Sequence, residues 1–215
     1  MAITAQRPRA WLELADDNTF ALQREHEPLL DLLRTSGTRW FTESDWRLGT
    51  QPKLCESLAE SGCQQVLVGM ESTVFQYPGM GAKRTNWDAM MDATAAIQGC
   101  GVVVNACFIV GADGETQASI RRLTEFLCTA PFGEVQVTLQ TPFPGTPLYR
   151  QLERDGRLRC TDFTKHTLFD VTYQPRDLLA EDLQTAFHEL VACVYSREQQ
   201  SRRAEVVKSI KRTCS

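Results

Sequence analysis

The chain has 215 residues, of which 42% are hydrophobic and 23% are charged, and its formal net charge is −4. This composition excludes wholesale disorder, and the negative charge argues against a nucleic-acid binder that relies on overall basic charge. No apolar stretch approaches the roughly 18 residues of a membrane-spanning helix, and residues 1–17 contain no apolar signal core, so we expect a cytoplasmic protein without a membrane segment.

Five segments have the pattern of β-strands, since each is short and mostly apolar. The longest of them is a continuous run of mainly β-branched and aromatic residues, which is typical of a strand buried in a parallel sheet. The five predicted strands, of which the longest is the fourth, are residues 11–15, 39–41, 65–70, 102–110 and 134–139.

Helical segments are predicted between these strands. Residues 25–35 carry leucines at helical spacing and are followed by Gly37, which can end a helix. A second helix is predicted to begin at Pro52 and to stop at Gly62. Three further helices are predicted: one capped by Asn86, one over residues 117–129, and one that starts at Thr146 and Pro147 and closes at Gly156.

The C-terminal part, residues 178–215, is predicted to be helical with a basic end. An apolar face at helical spacing is formed by Leu178, Leu179, Leu183, Phe187, Leu190 and Val194. The basic residues are interpreted as a solvated tail, with a partner-binding tail as the alternative, and they are Arg202, Arg203, Lys208, Lys211 and Arg212.

The spacing of the strands predicts an α/β fold. Most strand ends are separated by roughly 30 residues, which is the length of a strand–helix crossover unit. Repeated units of this kind, with right-handed crossovers, form either a doubly wound parallel sheet or a barrel.

Polar residues follow the predicted strands, at the carboxyl ends where ligands bind in parallel α/β folds. Carboxylates there can accept hydrogen bonds from an amine or from a ribose diol, although Asp and Asn are also ordinary turn residues. Glu71 ends an apolar strand and has no turn function of its own, so it is interpreted as a ligand-binding residue. The candidate binding residues are Asp16, Asp17, Asn18, Glu71, Asp113, Glu115, Gln140 and Thr141.

The eight cysteines and three histidines do not form a recognisable metal motif. The closest cysteines are seven residues apart and the sequence contains no C-x-x-C, so no metal site is predicted and the cysteines are interpreted as reduced, mostly buried thiols. His26, His166 and His188 share no ligand spacing. The sequence also lacks a G-x-S-x-G elbow, a P-loop and a G-x-G-x-x-G fingerprint, so hydrolase, kinase and Rossmann dehydrogenase functions are unsupported.

Five phrases carry a family resemblance over residues 10–196: WLELADDNTF, SGCQQVLVGMES, FQYPGMGAKRTNW, GVVVNACFIVGADGET and VTLQTPFPGTPLYRQLERDGRL. In this order and spacing they resemble the radical SAM barrel of cobalamin-domain-containing radical SAM enzymes. The resemblance implies an incomplete parallel (β/α) barrel of about five strands over residues 1–175, with a C-terminal helical segment over 176–215. The family reactions that it implies are methyl transfer or radical rearrangement.

The resemblance also implies roles for several residues in binding S-adenosylmethionine. Glu71 matches the family's strand-end acid near the methionyl or ribose part, and residues 110–115 match the segment that lines the adenine and ribose. Gln140 and Thr141 match the strand end that flanks the adenosyl group. Lys83 lies in a loop where similar proteins carry a basic residue, and a solvated lysine is the alternative.

The sequence departs from this family at the motifs for its metal cofactors. The family's first strand ends in a C-x-x-x-C-x-x-C loop that holds a four-iron four-sulfur cluster, and a cobalamin domain precedes it. Neither motif is present here. S-adenosylmethionine thus remains an expected ligand, whereas the cluster and cobalamin are expected of the family but not from these residues.

Two functions therefore remain open. The chain is either a truncated or split radical SAM homologue that is not self-sufficient for radical chemistry, or a non-catalytic barrel-derived interaction module. An exposed edge at residues 12–14 and an apolar barrel interior would need cover. That cover is expected from a homodimer, from a partner chain that carries the missing barrel half, or from the chain's own helix over residues 178–200.

Overall fold

The computed structural model describes residues 10–20, 25–74 and 87–212. Within these ranges, five strands form one sheet in the order β1-β2-β3-β4-β5, and every neighbouring pair is parallel. The strands are β1 (Leu12–Leu14), β2 (Trp40–Asp45), β3 (Cys63–Glu71), β4 (Val103–Val110) and β5 (Glu134–Leu139).

Helices follow the strands as predicted. In chain order they are α1 (Glu27–Ser36), α2 (Pro52–Glu60), α3 (Trp87–Gly99), α4 (Gln117–Thr129), α5 (Pro147–Arg154), α6 (Ala180–Val194) and α7 (Arg197–Arg212). Two short 3-10 helices cover Trp46–Thr50 and Phe163–Lys165. No helix within the described ranges is long and apolar enough to cross a membrane.

Two residues that were predicted to end or begin a helix do so in the structure. Gly37 ends α1 with φ 62°, a left-handed conformation that favours glycine. Thr146 caps α5, because its side-chain oxygen accepts a hydrogen bond from the backbone N–H of Tyr149, and Pro147 occupies the first turn. The cap predicted at Asn86 lies outside the described residues.

The strand order decides between the two α/β architectures. A doubly wound sheet reverses its strand order at a switch point, whereas these five strands follow one another without reversal. The α/β prediction is confirmed, and the open five-stranded sheet is consistent with an incomplete parallel barrel.

One face of the sheet is packed and the other is open. In β3, Val66, Val68 and Met70 are buried, whereas the intervening Leu67 and Gly69 are only half-buried. The β4 strand alternates in the same way, with Ala106 buried and Cys107 half-buried. The prediction that this strand is buried therefore holds for one face, whereas Asn105, Cys107 and Ile109 on the other face are half-buried.

The open face is also less apolar than predicted. Polar side chains occupy it on each of the four longer strands, and among them are Glu43, Glu71, Asn105, Cys107 and Gln136. The described part of the chain therefore presents a face on which these polar side chains lie beside half-buried Leu67 and Ile109, rather than a wholly apolar barrel interior. A face of this mixed kind suits a ligand or solvent.

The aromatic core lies between the sheet and the helices. The rings of Trp87, Phe108, Phe126 and Phe132 pack against one another, with centroid separations from 4.6 Å to 6.5 Å. Phe108 and Phe132 are fully buried. This cluster fixes α3 and α4 on the sheet, and it thereby positions the loops at the carboxyl ends of the strands.

The C-terminal segment is two helices rather than one continuous helix. The break falls at Tyr195 and Ser196, where the hydroxyl of Tyr195 accepts a hydrogen bond from Val137 N (3.2 Å) and donates one to Val135 O (3.0 Å). The Tyr195 hydroxyl thus satisfies two main-chain groups of β5 on the side that faces away from β4. The prediction that this segment covers the β1 edge was wrong, because α6 and Tyr195 lie at the opposite edge of the sheet.

The helix α7 crosses the starting ends of the strands. Lys211 Nζ donates to Gln64 O (3.2 Å) and to Gly101 O (3.1 Å), and Ile210 is buried beside Gly133. Arg203 is also buried and donates to Val194 O (2.8 Å) at the end of α6. The basic end is therefore only partly solvated, since several of its charges cap backbone carbonyls.

The apolar face predicted for the C-terminal helix is mostly correct. Leu183, Phe187, Leu190 and Val194 are buried. Leu179, by contrast, is 62% exposed because it is the residue before the first turn of α6. The buried positions pack α6 against α4 and the sheet.

Candidate binding groove on the open sheet face

A groove of about 370 Å³ lies on the open face, toward the carboxyl ends of the strands. Its volume falls within the range of roughly 300–1,000 Å³ that is common for small-molecule sites. Every strand or the loop after it contributes to the lining, which includes Asp17, Glu43, Glu71, Cys107 and Gln136. We call this the open-face groove.

Glu71 sits at a bulge at the end of β3. The pairing register with β4 shifts between Gly69 and Glu71, and Glu71 has φ 63°, which is uncommon for a residue other than glycine. A Cβ on Gly69 would lie 2.6 Å from the Glu71 carboxylate oxygen Oε1. Gly69 therefore leaves the space that the Glu71 carboxylate occupies, and the strained backbone directs that carboxylate over the groove.

Cys107 lines the groove together with the acidic residues Glu43 and Glu71. Burial raises the pKa of its thiol to about 12, and the negative charges of Glu43 and Glu71 contribute to this rise. The thiol is consequently protonated at neutral pH, and its Sγ donates to Asn105 O (3.6 Å). The centre of the groove thus combines negative charge with a neutral thiol.

The loop after β1 is held at the groove by Asn18. The Asn18 side-chain oxygen accepts hydrogen bonds from Ser44 Oγ (3.2 Å) and from Asp45 N (3.4 Å). This positions the exposed Asp17 at the groove, whereas Asp16 is not among its lining residues and accepts a bond from Thr19 through its carbonyl. Asn18 is therefore a lining residue of the groove, and its side chain also holds the loop against the end of β2.

Asp113 is placed away from the open-face groove and pairs with arginines. Its carboxylate accepts two hydrogen bonds from Arg157, at 2.6 Å and 3.2 Å, and Arg176 Nε lies 2.9 Å from it. The bonds from Arg157 to Asp113 raise the pKa of the guanidinium. The geometry gives Asp113 a role in joining the turn after β4 to residues 157–176.

Gln140 and Thr141 are buried at the end of β5 and are not among the lining residues of the groove. The backbone N–H of Gln140 donates to Val110 O (2.8 Å), which continues the pairing of β4 with β5. The hydroxyl of Thr141 donates to Leu139 O (3.1 Å). Both residues shape the turn into α5.

Glu115 is buried in the loop that leads into α4, and it is likewise not among the lining residues of the groove. Its carboxylate accepts hydrogen bonds from Ser119 Oγ and from Gly111 N. Burial raises the pKa of this carboxyl, and the two hydrogen bonds offset part of that effect. Glu115 therefore organises the loop rather than the groove.

The raised pKa of Glu115 predicts how Glu115→Gln changes the pH dependence of stability. Below the unfolded-state pKa the carboxyl is protonated in both states, so its burial costs little. As pH rises, the unfolded state ionises first and the wild-type protein loses stability relative to the Glu115→Gln variant. Chemical denaturation between about pH 4 and pH 7 should show the variant gaining stability over the wild type as pH increases. Glu125→Gln, at an exposed position of α4, controls for the charge change, and a difference that shrinks with pH would contradict the prediction.

The structure thus brings Asp17, Asn18 and Glu71 to one groove. Sequence reasoning missed Glu43, Cys107, Gln136 and Thr138, which line the same groove. Their signal was the alternate position along each strand. Cys107 was overlooked because the fourth strand was interpreted as buried, and Glu43 because it lies beyond the predicted second strand, residues 39–41. Lys83 lies outside the described residues.

The described residues contain no group of three or more His, Cys, Asp or Glu side chains that could hold a metal ion. Cys55 and Cys63 are buried, Cys193 is exposed, and the other described cysteines are half-buried. Cys214 lies outside the described residues.

No family model matches the sequence. Two curated proteins are similar to it: a bacteriochlorophyllide d C-12(1)-methyltransferase from Chlorobaculum tepidum, 25% identical over 184 residues, and an uncharacterized methyltransferase from Pyrococcus horikoshii, 23% identical over 186 residues. Each alignment covers 84% of this chain, and the chain spans about two fifths of each relative, 39% and 40% respectively.

The fold is similar to that of a solved radical S-adenosylmethionine methyltransferase, TsrM from Kitasatospora setae, described with bound cobalamin and a 4Fe-4S cluster. The TM-score is 0.68 at 14% sequence identity, and the similarity covers 99% of this chain and 54% of that chain. The chain therefore has a radical SAM-like fold, and the curated proteins similar to it are methyltransferases.

Proposed function

We propose that the chain is the S-adenosylmethionine-binding part of a radical SAM-type methyltransferase, and that the open-face groove holds the ligand. The observation that carries this proposal is the Glu71 carboxylate, which lies over Gly69 at the carboxyl end of a central parallel strand. The methyltransferase relatives and the radical SAM-like fold support the same assignment.

The chemistry of the groove suits this ligand. S-adenosylmethionine carries a sulfonium and an ammonium, which are favoured beside carboxylates, and its ribose diol can donate hydrogen bonds to a carboxylate. Asp17, Glu43 and Glu71 supply those carboxylates. Leu67 and Ile109 supply apolar surface for the adenine in the same groove. We infer that Glu71 contacts the cationic or ribose portion.

The described residues do not fit a four-iron four-sulfur cluster, because they contain no set of three convergent thiols. We therefore derive no radical step from this chain. In our proposal the cluster and cobalamin are held by residues beyond the described ones, either in the same polypeptide or in a partner chain that completes the barrel.

A second candidate function is a non-catalytic interaction module. It is favoured by the edge of β1, since this strand pairs only with β2 in the described part of the chain. An open edge can accept a strand from a second copy or from another protein. In this alternative the open-face groove is a structural remnant and binds no S-adenosylmethionine.

Calorimetric titration with S-adenosylmethionine distinguishes the two candidates. We expect a dissociation constant of about 0.1 mM for the wild-type chain, because no cluster iron chelates the amino-acid part of the ligand. Glu71→Gln should weaken binding about tenfold, since it removes one charge-assisted interaction of roughly 1.5 kcal/mol.

Glu134→Gln is the matched control, because Glu134 begins β5 on the same sheet face but is not a lining residue of the groove. Its affinity should remain within about twofold of the wild type. Unchanged binding by the Glu71 variant would remove Glu71 from the site, and absent binding by the wild type would favour the interaction module.

A further inference from the structure

Two cysteines meet where α4 and α6 end. Cys128 lies in the last turn of α4 and Cys193 in the last turn of α6, with their Sγ atoms 3.3 Å apart. The two residues are 65 positions apart in the sequence. Cys193 is exposed and Cys128 is half-buried, so small molecules can reach at least one of the sulfurs.

The helix α7 holds this junction in place through basic side chains. Arg202 donates to the carbonyl oxygen of Thr129, the last residue of α4, and to that of Ala130 directly after it (3.0 Å). Arg203 donates to Val194 O, next to Cys193. Three helices are thus tied together around the two thiols, which keeps the sulfurs close without a covalent bond.

A disulfide requires an S–S distance of about 2.05 Å, so the two sulfurs must approach by a little more than 1 Å. A small side-chain rotation of the exposed Cys193 can supply this movement while the helices stay in place. Burial and the neighbouring Cys193 raise the pKa of Cys128 to about 11. We therefore assign the first attack on an external disulfide to the exposed Cys193 thiol, and the second attack, which closes the protein disulfide, to Cys128.

We propose that Cys128 and Cys193 are a thiol–disulfide site that reacts with low-molecular-weight disulfides and locks α6 onto α4. The Cys193 thiolate attacks one sulfur of glutathione disulfide, forming a mixed disulfide and releasing one glutathione thiolate. Cys128 then loses its proton to solvent and attacks Cys193 Sγ, which releases the second glutathione thiolate. The two protein thiols are oxidised and glutathione disulfide is reduced to two thiols.

A Cys128–Cys193 disulfide would restrain the segment around Tyr195, which lies along the edge of the sheet. Tyr195, which pairs the edge of β5, lies two residues after Cys193 in the chain. Fixing the end of α6 therefore restrains both Tyr195 and the start of α7. The oxidised protein should consequently resist separation of α6 and α7 from the sheet, whereas the reduced protein relies on packing and hydrogen bonds.

The test uses the full chain, first fully reduced and then equilibrated with glutathione disulfide. We expect intact-mass spectrometry to show the loss of two hydrogen atoms, and peptide mapping to find Cys128 linked to Cys193. The Tm should rise by about 5 °C on oxidation and should return to its original value after dithiothreitol treatment. This reversal in the wild type tests the proposal even where a cysteine variant folds poorly.

Cys128→Ser should abolish both the linkage and the rise in Tm. Cys160→Ser is the matched control, because Cys160 is half-buried in a loop and its Sγ contacts Asp162 O (3.8 Å) rather than another thiol. That variant should form the 128–193 linkage as the wild type does. A linkage between other cysteines only, no intramolecular linkage, or an unchanged Tm of the linked protein would overturn the proposal.

Discussion

Gly49→Ala is expected to destabilise the protein by about 3 kcal/mol and to lower its Tm by about 10 °C. Gly49 lies in the 3-10 helix Trp46–Thr50, which packs directly on α3. A Cβ at this position would lie 2.6 Å from the backbone carbon atoms of Ala93 and closer still to its carbonyl oxygen. The clash is with backbone in the middle of a helix, so a side-chain rotation cannot relieve it.

Thermal and chemical denaturation measure this effect, with Gly99→Ala as the matched control. Gly99 is the last residue of α3 and a Cβ there meets nothing within 4 Å. The control should be neutral or stabilising by about 0.5 kcal/mol, because alanine reduces the entropy of the unfolded chain. Equal stabilities for the two variants would show that the 3-10 helix can move away from α3 at little cost.

Tyr195→Phe is expected to destabilise the protein by about 2 kcal/mol. The hydroxyl of Tyr195 is the partner of both Val137 N and Val135 O at the edge of β5. Phenylalanine keeps the ring but removes both bonds, so two main-chain groups of buried residues lose their partner. Chemical denaturation should show the lower free energy of unfolding, with an unchanged dependence of that free energy on denaturant concentration. Amide hydrogen exchange at Val137 should also be faster.

Tyr149→Phe is the control for Tyr195→Phe. Tyr149 is half-buried in α5, where its ring lies 6.5 Å from that of Phe163 and 6.4 Å from that of His166. Loss of its hydroxyl should change stability by less than about 0.5 kcal/mol. A Tyr195 variant as stable as this control would mean that water replaces the phenol at the β5 edge.

The regular elements could largely be predicted because their signals are local. Gly37 and the Thr146-Pro147 pair act through the backbone of neighbouring residues, and each marks a helix end as predicted. The second strand was underestimated. Its polar residues Glu43 and Asp45 lie beyond the predicted strand of residues 39–41, yet they pair with β3 through the backbone.

The candidate site was predicted only in part because it depends on which face of the sheet is open. Glu71 was identified from its place at a strand end, but its left-handed backbone and its position over Gly69 depend on the pairing of β3 with β4. Asp113 also follows a predicted strand, but the fold places it away from the groove. Arg157 and Arg176 pair with it in the fold, and both are more than 40 residues away in the chain.

The sequence by itself determined the alternation of strands and helices, most of their ends, and the parallel α/β class, because these follow from periodicity, caps and connection lengths. Only the tertiary structure decided the strand order, the open polar face and the break between α6 and α7. Those features depend on contacts between distant residues, such as Tyr195 with β5 and Lys211 with Gln64. Local propensity carries no information about such pairings, and they determine which side chains meet in the open-face groove.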